Sequence, residues 1–165
     1  MKASDALKAS LESAKGWMLA LVSDIQDAPT TFPTSNKGNH PLWCLGHVIH
    51  SEAGMVSGMV QGKPCPTAQW EALFGMGSVP DADSRKYPSM AALLAEWEKV
   101  RAETLKVLAA MSDADLDKPA HCPPELRPMF GTVGQVFAMI GLHITFHAGQ
   151  VADARRALGR KPLLA

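Results

Sequence analysis

The chain has 165 residues, enough for one domain with a full hydrophobic core and short for two. Sixteen Lys and Arg balance sixteen Asp and Glu, so no net field draws the chain towards nucleic acid or an anionic membrane. Its hydrophobic fraction of 47% is interleaved with charge rather than gathered into a spanning segment, which leaves small molecules and copies of itself as expected partners.

The first amphipathic segment carries Leu7, Leu11, Ala14, Met18, Leu21 and Ile25 at alternating spacings of four and three, which predicts a helix over about 5–27 opened by Ser4 and Asp5. Its apolar run 17–22 is too short, and the flanking Asp5 and Glu12 too acidic, for a signal peptide. After a loop rich in Pro, Thr and Asn, Pro41 opens a second helix that Gly62 and Pro64 stop, with Leu45, Ile49, Glu52, Val56 and Met59 as its stripe. The connection 63–88 contains TAQWEALFG, a candidate short helix. Ser89 caps a third helix whose seam is Leu93, Trp97, Val100, Thr104, Val107 and Met111. The segment 112–131 predicts one helical turn capped by Ser112 and then Pro-rich loop. Thr132 and Gln135 form a capping box for the fourth helix, closed by Gly159 and Pro162 near 158. No period-two alternation predicts strands. The expected fold is all-α, a single domain over 1–165 built as a four-helix bundle, with a long crossover connection between helices two and three.

The stretch GLHITFHAGQV in the fourth helix places His143 and His147 one turn apart on the face shared with Val136, Met139, Ile140, Val151, Ala154 and Leu158. Two inward imidazoles without partners would cost roughly 1–3 kcal/mol each, so something must satisfy both, either separate core hydrogen bonds or one metal ion reached by both rings. No glutamate lies between them, which disfavours the HExxH zinc-protease arrangement. A metal site needs a third ligand, and His47, His50, His40 and His121 are the candidates. Periodicity leaves the choice open: His47 lies about 160° round from the apolar stripe of helix two, on a side with Ser51, Gly54 and Gly58.

PLWCLGHVIHSE and HITFHAGQVADARRALGRKP, with QWEALFGMG, KYPS and MSDADLDKP between them, resemble the DinB-like superfamily of bacterial four-helix metalloproteins. The shared pattern is Trp-x-x-Gly-His in the second helix and His-x-x-x-His-x-Gly-Gln, then Arg-Arg-x-x-Gly, in the fourth. The resemblance implies that His47, His143 and His147 form a facial site for a divalent metal, nickel or zinc. His50, three residues from His47, is the reserve third ligand. It also implies a metal-dependent enzyme acting on small molecules with a low-molecular-weight thiol as cosubstrate, as an S-transferase or isomerase. Such an ion would act as a Lewis acid or lower the pKa of bound water or thiol.

Glu52, a carboxylate in an apolar stripe, is a candidate base or ligand-orienting group, and otherwise a salt-bridge partner for a neighbouring helix. Gln150, about 20° from the direction of His143, can orient a ligand or make an interhelical hydrogen bond. Trp43, Trp70 and Trp97 read as core or pocket wall, and nothing marks Cys44 or Cys122 as an activated nucleophile. The three scattered cysteines indicate reduced thiols and a cytoplasmic location. A homodimer is expected from the resemblance and from a second apolar side of helix four, Phe137, Ile144 and Ala148. The alternative function is a non-catalytic, stress-related or self-associating bundle whose histidines are structural.

Overall fold

A computed structural model describes residues 1–33 and 38–163. Its long helices are α1 (Ala3–Ser23), α2 (Pro41–Gly54), α4 (Met90–Ala109) and α7 (Val133–Ala157), with single turns at α3 (Glu71–Phe74), α5 (Asp113–Leu116) and α6 (Arg127–Phe130). No strand occurs among the described residues, and none of their helices is long and apolar enough to cross a membrane. The all-α architecture is as the patterning predicts. Residues 34–37, part of the loop expected after helix one, lie outside the described residues.

Three caps read from the sequence are made, whereas α1 starts at Ala3 with Ser4 already inside it and only Asp5 reaching back to accept the Lys2 N–H. Ser89 accepts the Ala92 N–H, Ser112 and Asp115 form a reciprocal box at α5, and Thr132 with Gln135 does the same at α7. Gly62 and Gly159 take positive φ where α2 and α7 are terminated. Three boundaries differ from the patterning. Beyond Ser23 the chain passes into turns although Ile25 is still fully buried, so the apolar spacing outruns the helix. Past Gly54, α2 continues as a π-helical turn, Met55–Val60, in which one extra residue widens the backbone ring, as in the bond from Gln61 N–H to the Val56 carbonyl. The Pro-rich segment before α7 also holds the turn α6, which the prolines had suggested was loop.

The long helices form a ring in the order α1, α4, α2, α7. Glu52 meets Trp97 and Arg101, while farther along both helices Val56 and Ser57 line the same cleft as Val100 and Thr104, so α2 and α4 run parallel. Parallel neighbours require the chain to return along the bundle, and the connection from Gln61 to Ser89 does this, carrying α3 across the outer side of α2. In contrast, α2 and α7 are antiparallel, with Cys44 opposite Gln150 and His47 opposite His143. Helix α2 is thus covered on nearly every side, and its His47 side is not a surface.

A buried ion pair ties three helices. The Arg101 guanidinium donates to both oxygens of Glu52 at 2.8 Å and to the Leu11 carbonyl, and the Trp97 indole N–H donates to Glu52 at 2.9 Å. Each oxygen is satisfied, which a carboxylate 1% exposed requires. Phe137, Ile144 and Ala148 are buried, on a helix packed closely against α1; at Gly141 an added Cβ would come within 3.0 Å of Ser10 Oγ. That face is spent inside the monomer and is not the dimer surface the sequence suggested.

Candidate metal centre

His47 from α2 and His143 and His147 from α7 converge. Nε2 of His143 lies 3.1 Å from Nε2 of His47 and 3.1 Å from Nε2 of His147. The three rings pack edge to face, with centroids 4.6–4.9 Å apart. Each residue offers one nitrogen to a common point, and these nitrogens all lie within 4.8 Å of one another.

The other ring nitrogens decide what those Nε2 atoms are. His47 Nδ1 lies 2.6 Å from the carbonyl oxygen of Phe74, and His147 Nδ1 lies 2.9 Å from Oε1 of Gln150. Both partners are pure acceptors, so both Nδ1 atoms carry the proton and both Nε2 atoms present a lone pair. His143 can donate its Nε2–H to one of those lone pairs at most, which leaves nitrogen facing nitrogen on the other side. A cation at the common point satisfies all three, so the donor set fits a divalent metal.

Electrostatics favour the ligating form. Burial holds all three imidazoles below their ordinary value, His143 to about 3 with His147 and His47 adding to the effect, and His147 to about 4 against the opposing bond to Gln150. All three are neutral at pH 7, as metal ligands must be.

The supporting structure comes from both helices and from the connection. Gly46 lets α3 lie directly on α2: a Cβ there would sit closer than 3.0 Å to the Phe74 ring, a separation real Cβ atoms essentially never show. That approach brings the Phe74 carbonyl to His47. Trp43 stacks on His47 with centroids 4.5 Å apart and planes 11° from parallel, and its indole N–H donates to Ser78 Oγ at 3.0 Å. Gln150 Oε1 also accepts from Asn39 Nδ2 and Cys44 Sγ, which fixes the orientation of its amide. The Cys44 thiol is pushed up to about 12 by burial and serves as a donor, not a nucleophile. Phe146, 65% exposed, stands edge-on to His147 beside the half-buried His143, on the open side of the cluster.

Of the residues marked in the sequence, His47, His143, His147 and Gln150 come together. His50 does not: its two nitrogens are engaged by Thr67 Oγ1 and Glu71 Oε2, each at 2.8 Å. Glu52 also turns away, into the ion pair with Arg101, so the salt-bridge reading of that residue is the one the geometry realises. Neither of the other two candidates joins the cluster: His40 is the buried cap of α2, accepting the Trp43 N–H at Nδ1, and His121 is exposed beside Gly62. The Phe74 carbonyl and Asn39 escaped the sequence reading, the first because a backbone acceptor has no residue-type signal and the second because it stands in an irregular loop.

Among solved structures the chain resembles one described as the conserved protein of locus from Enterococcus faecalis, at a TM-score of 0.75 and 13% identity, over 97% of this chain and 99% of that one. At that identity the likeness concerns the fold alone. No curated protein matches the sequence. The family model of the DinB superfamily matches residues 10–151, and the chain belongs to that superfamily.

Proposed function

We propose that the protein is a metal-dependent enzyme acting on small molecules, with His47, His143 and His147 holding one divalent ion and a low-molecular-weight thiol as cosubstrate in S-transfer or isomerisation. The observation that carries the reading is the convergence of three Nε2 atoms, two of them committed to the lone-pair form by acceptors at Nδ1. Three neutral ligands leave coordination positions and the full double charge of the ion free for substrate, the arrangement of a catalytic rather than a structural site. When bound, the ion supplies Lewis acidity and favours the deprotonated form of a coordinating thiol or water. Three imidazole nitrogens suit either nickel or zinc as the divalent ion.

The chain's own residues keep the three rings fixed. Gln150 and the Phe74 carbonyl hold two tautomers, Trp43 forms a flat apolar wall, and Phe146 offers an exposed apolar edge beside the opening. With Glu52 committed to Arg101, proton transfer falls to the coordinating groups and solvent rather than to a carboxylate base. Three free cysteines suit a reducing compartment, and the proposal places the enzyme in the cytoplasm as a homodimer whose interface excludes Phe137, Ile144 and Ala148. The nickel- or cobalt-loaded protein is expected to change its visible spectrum when low-molecular-weight thiols are added. A spectrum indifferent to every thiol would remove the thiol from the proposal.

A further inference from the structure

We infer that His50 is a positioning residue for the metal ligand His47, acting with Glu71 through the single-turn helix α3. The inference rests on the metal-site reading above and adds a residue that touches none of the three ligands.

On α2, positions 47 and 50 are one turn apart on the same side; on α3, positions 71 and 74 stand in the same relation. Two hydrogen bonds join these pairs in register. At one end His47 Nδ1–H donates to the Phe74 carbonyl at 2.6 Å, and at the other His50 Nε2–H donates to Glu71 Oε2 at 2.8 Å. A carboxylate only accepts, so the proton of His50 is on Nε2, and its Nδ1 accepts the Thr67 hydroxyl at 2.8 Å. Thr67 is fully buried, and its carbonyl accepts the Trp70 N–H at 2.8 Å in the turn leading into α3. His50 thereby grips the connection at two points, both before the residue that touches His47.

This grip matters because α3 has only four residues and too few internal hydrogen bonds to hold its own orientation. The Phe74 ring packed over Gly46 sets how near α3 lies to α2, but a ring contact leaves a turn free to rock about it. A second bond one turn away removes that rotation and with it the freedom of the Phe74 carbonyl to leave His47. No side-chain substitution can delete a backbone carbonyl, so the sequence controls it through the groups that seat α3, Gly46 for its distance and the His50–Glu71 pair for its orientation.

The test uses the full chain without a histidine tag. Glu71→Ala removes the acceptor from a side chain that is 70% exposed, so folding is retained. Cobalt affinity is expected to fall about tenfold, the lower end for groups that orient metal ligands, with a shift in the cobalt absorption bands. In metal-free protein labelled with ¹⁵N-histidine, the slowly exchanging Nδ1–H signal of His47 should disappear. Glu71→Gln keeps an acceptor without the charge and should restore affinity and signal; His50→Leu should behave as Glu71→Ala. Wild-type affinity and an intact signal in Glu71→Ala would overturn the inference. So would a Glu71→Gln variant as weak as Glu71→Ala, since charge rather than the hydrogen bond would then be the cause. If the wild type binds no cobalt, the metal-site reading fails, and the signal from metal-free protein alone decides the positioning role.

Discussion

Gly46→Ala is a one-carbon perturbation whose outcome depends on two opposing effects. In an exposed helix interior, replacing Gly by Ala stabilises by up to about 1 kcal/mol, because the glycine backbone loses more freedom on folding. At position 46 the added carbon would lie under 3.0 Å from three carbons of the Phe74 ring. That ring is fully buried and packs against Trp70 and Tyr87, so it cannot swing into solvent to escape. Overpacking of this kind costs about 1–3 kcal/mol, and here its upper half applies because the clash is with a rigid ring. The net expectation is a loss of about 1–2 kcal/mol, or a fall in melting temperature of about 2–8 °C for a chain of this size. The same displacement pushes α3 away from α2 and pulls the Phe74 carbonyl off His47, so metal affinity falls with stability. Gly16→Ala is the control: it is exposed, mid-helix and has nothing within 4 Å of the added carbon, and should leave stability equal or raised. Thermal unfolding and a cobalt titration of both variants decide the matter. A Gly46→Ala protein as stable as Gly16→Ala, with unchanged affinity, would refute the reasoning.

Further outcomes follow from other parts of the structure. Gln150→Leu removes the acceptor for His147 Nδ1–H and should weaken metal binding about 10–100-fold with little change in helical content, measured by competitive titration. Arg101→Met strands the Glu52 carboxylate in the core and should cost about 3–5 kcal/mol in denaturant unfolding, whereas Arg101→Met with Glu52→Leu should recover much of the loss. For metal-free protein, His143 and His147 titrate at about 3 and about 4 when folded, against an ordinary 6.5, so the unfolded chain binds more protons between those limits. Their contribution is complete above pH 6.5 and declines as pH falls. Stability should drop from pH 6.5 to 4.5, where carboxylates are still largely ionised, and a His143→Gln, His147→Gln protein should show a flatter slope. Cys44 should resist thiol reagents at pH 8 in the folded protein while the half-buried Cys65 and Cys122 react.

The sequence carried the histidine pair on α7 clearly, because a spacing of four within an apolar face has one geometric meaning in a helix. It also implied a crossover between α2 and α4, through a connection too long for a hairpin. His47 was different. Amphipathic periodicity locates a residue relative to one apolar stripe, and α2 has cover on nearly all sides, so the stripe does not define an inside. What covers the His47 side is α3, and it fits there because residue 46 lacks a side chain. The motif resemblance named His47 without that reason. Glu52 illustrates the converse: its need for a partner was readable, but Arg101 stands beside rather than in the seam of α4, so periodicity gave no hint of the pairing. The carbonyl that fixes His47 belongs to a residue whose side chain is a core phenylalanine, and residue type says nothing about where its backbone oxygen points.

The most direct measurement is the metal content of untagged protein after loading and desalting, for the wild type and for His47→Ala, His143→Ala, His147→Ala and His50→Leu. The wild type is expected to hold close to one divalent ion per chain, each of the first three variants to lose it while keeping its helical spectrum, and His50→Leu to retain it at saturating metal. A folded wild type that holds no ion, or an ion that survives His47→Ala and departs with His50→Leu, would contradict the three-histidine centre.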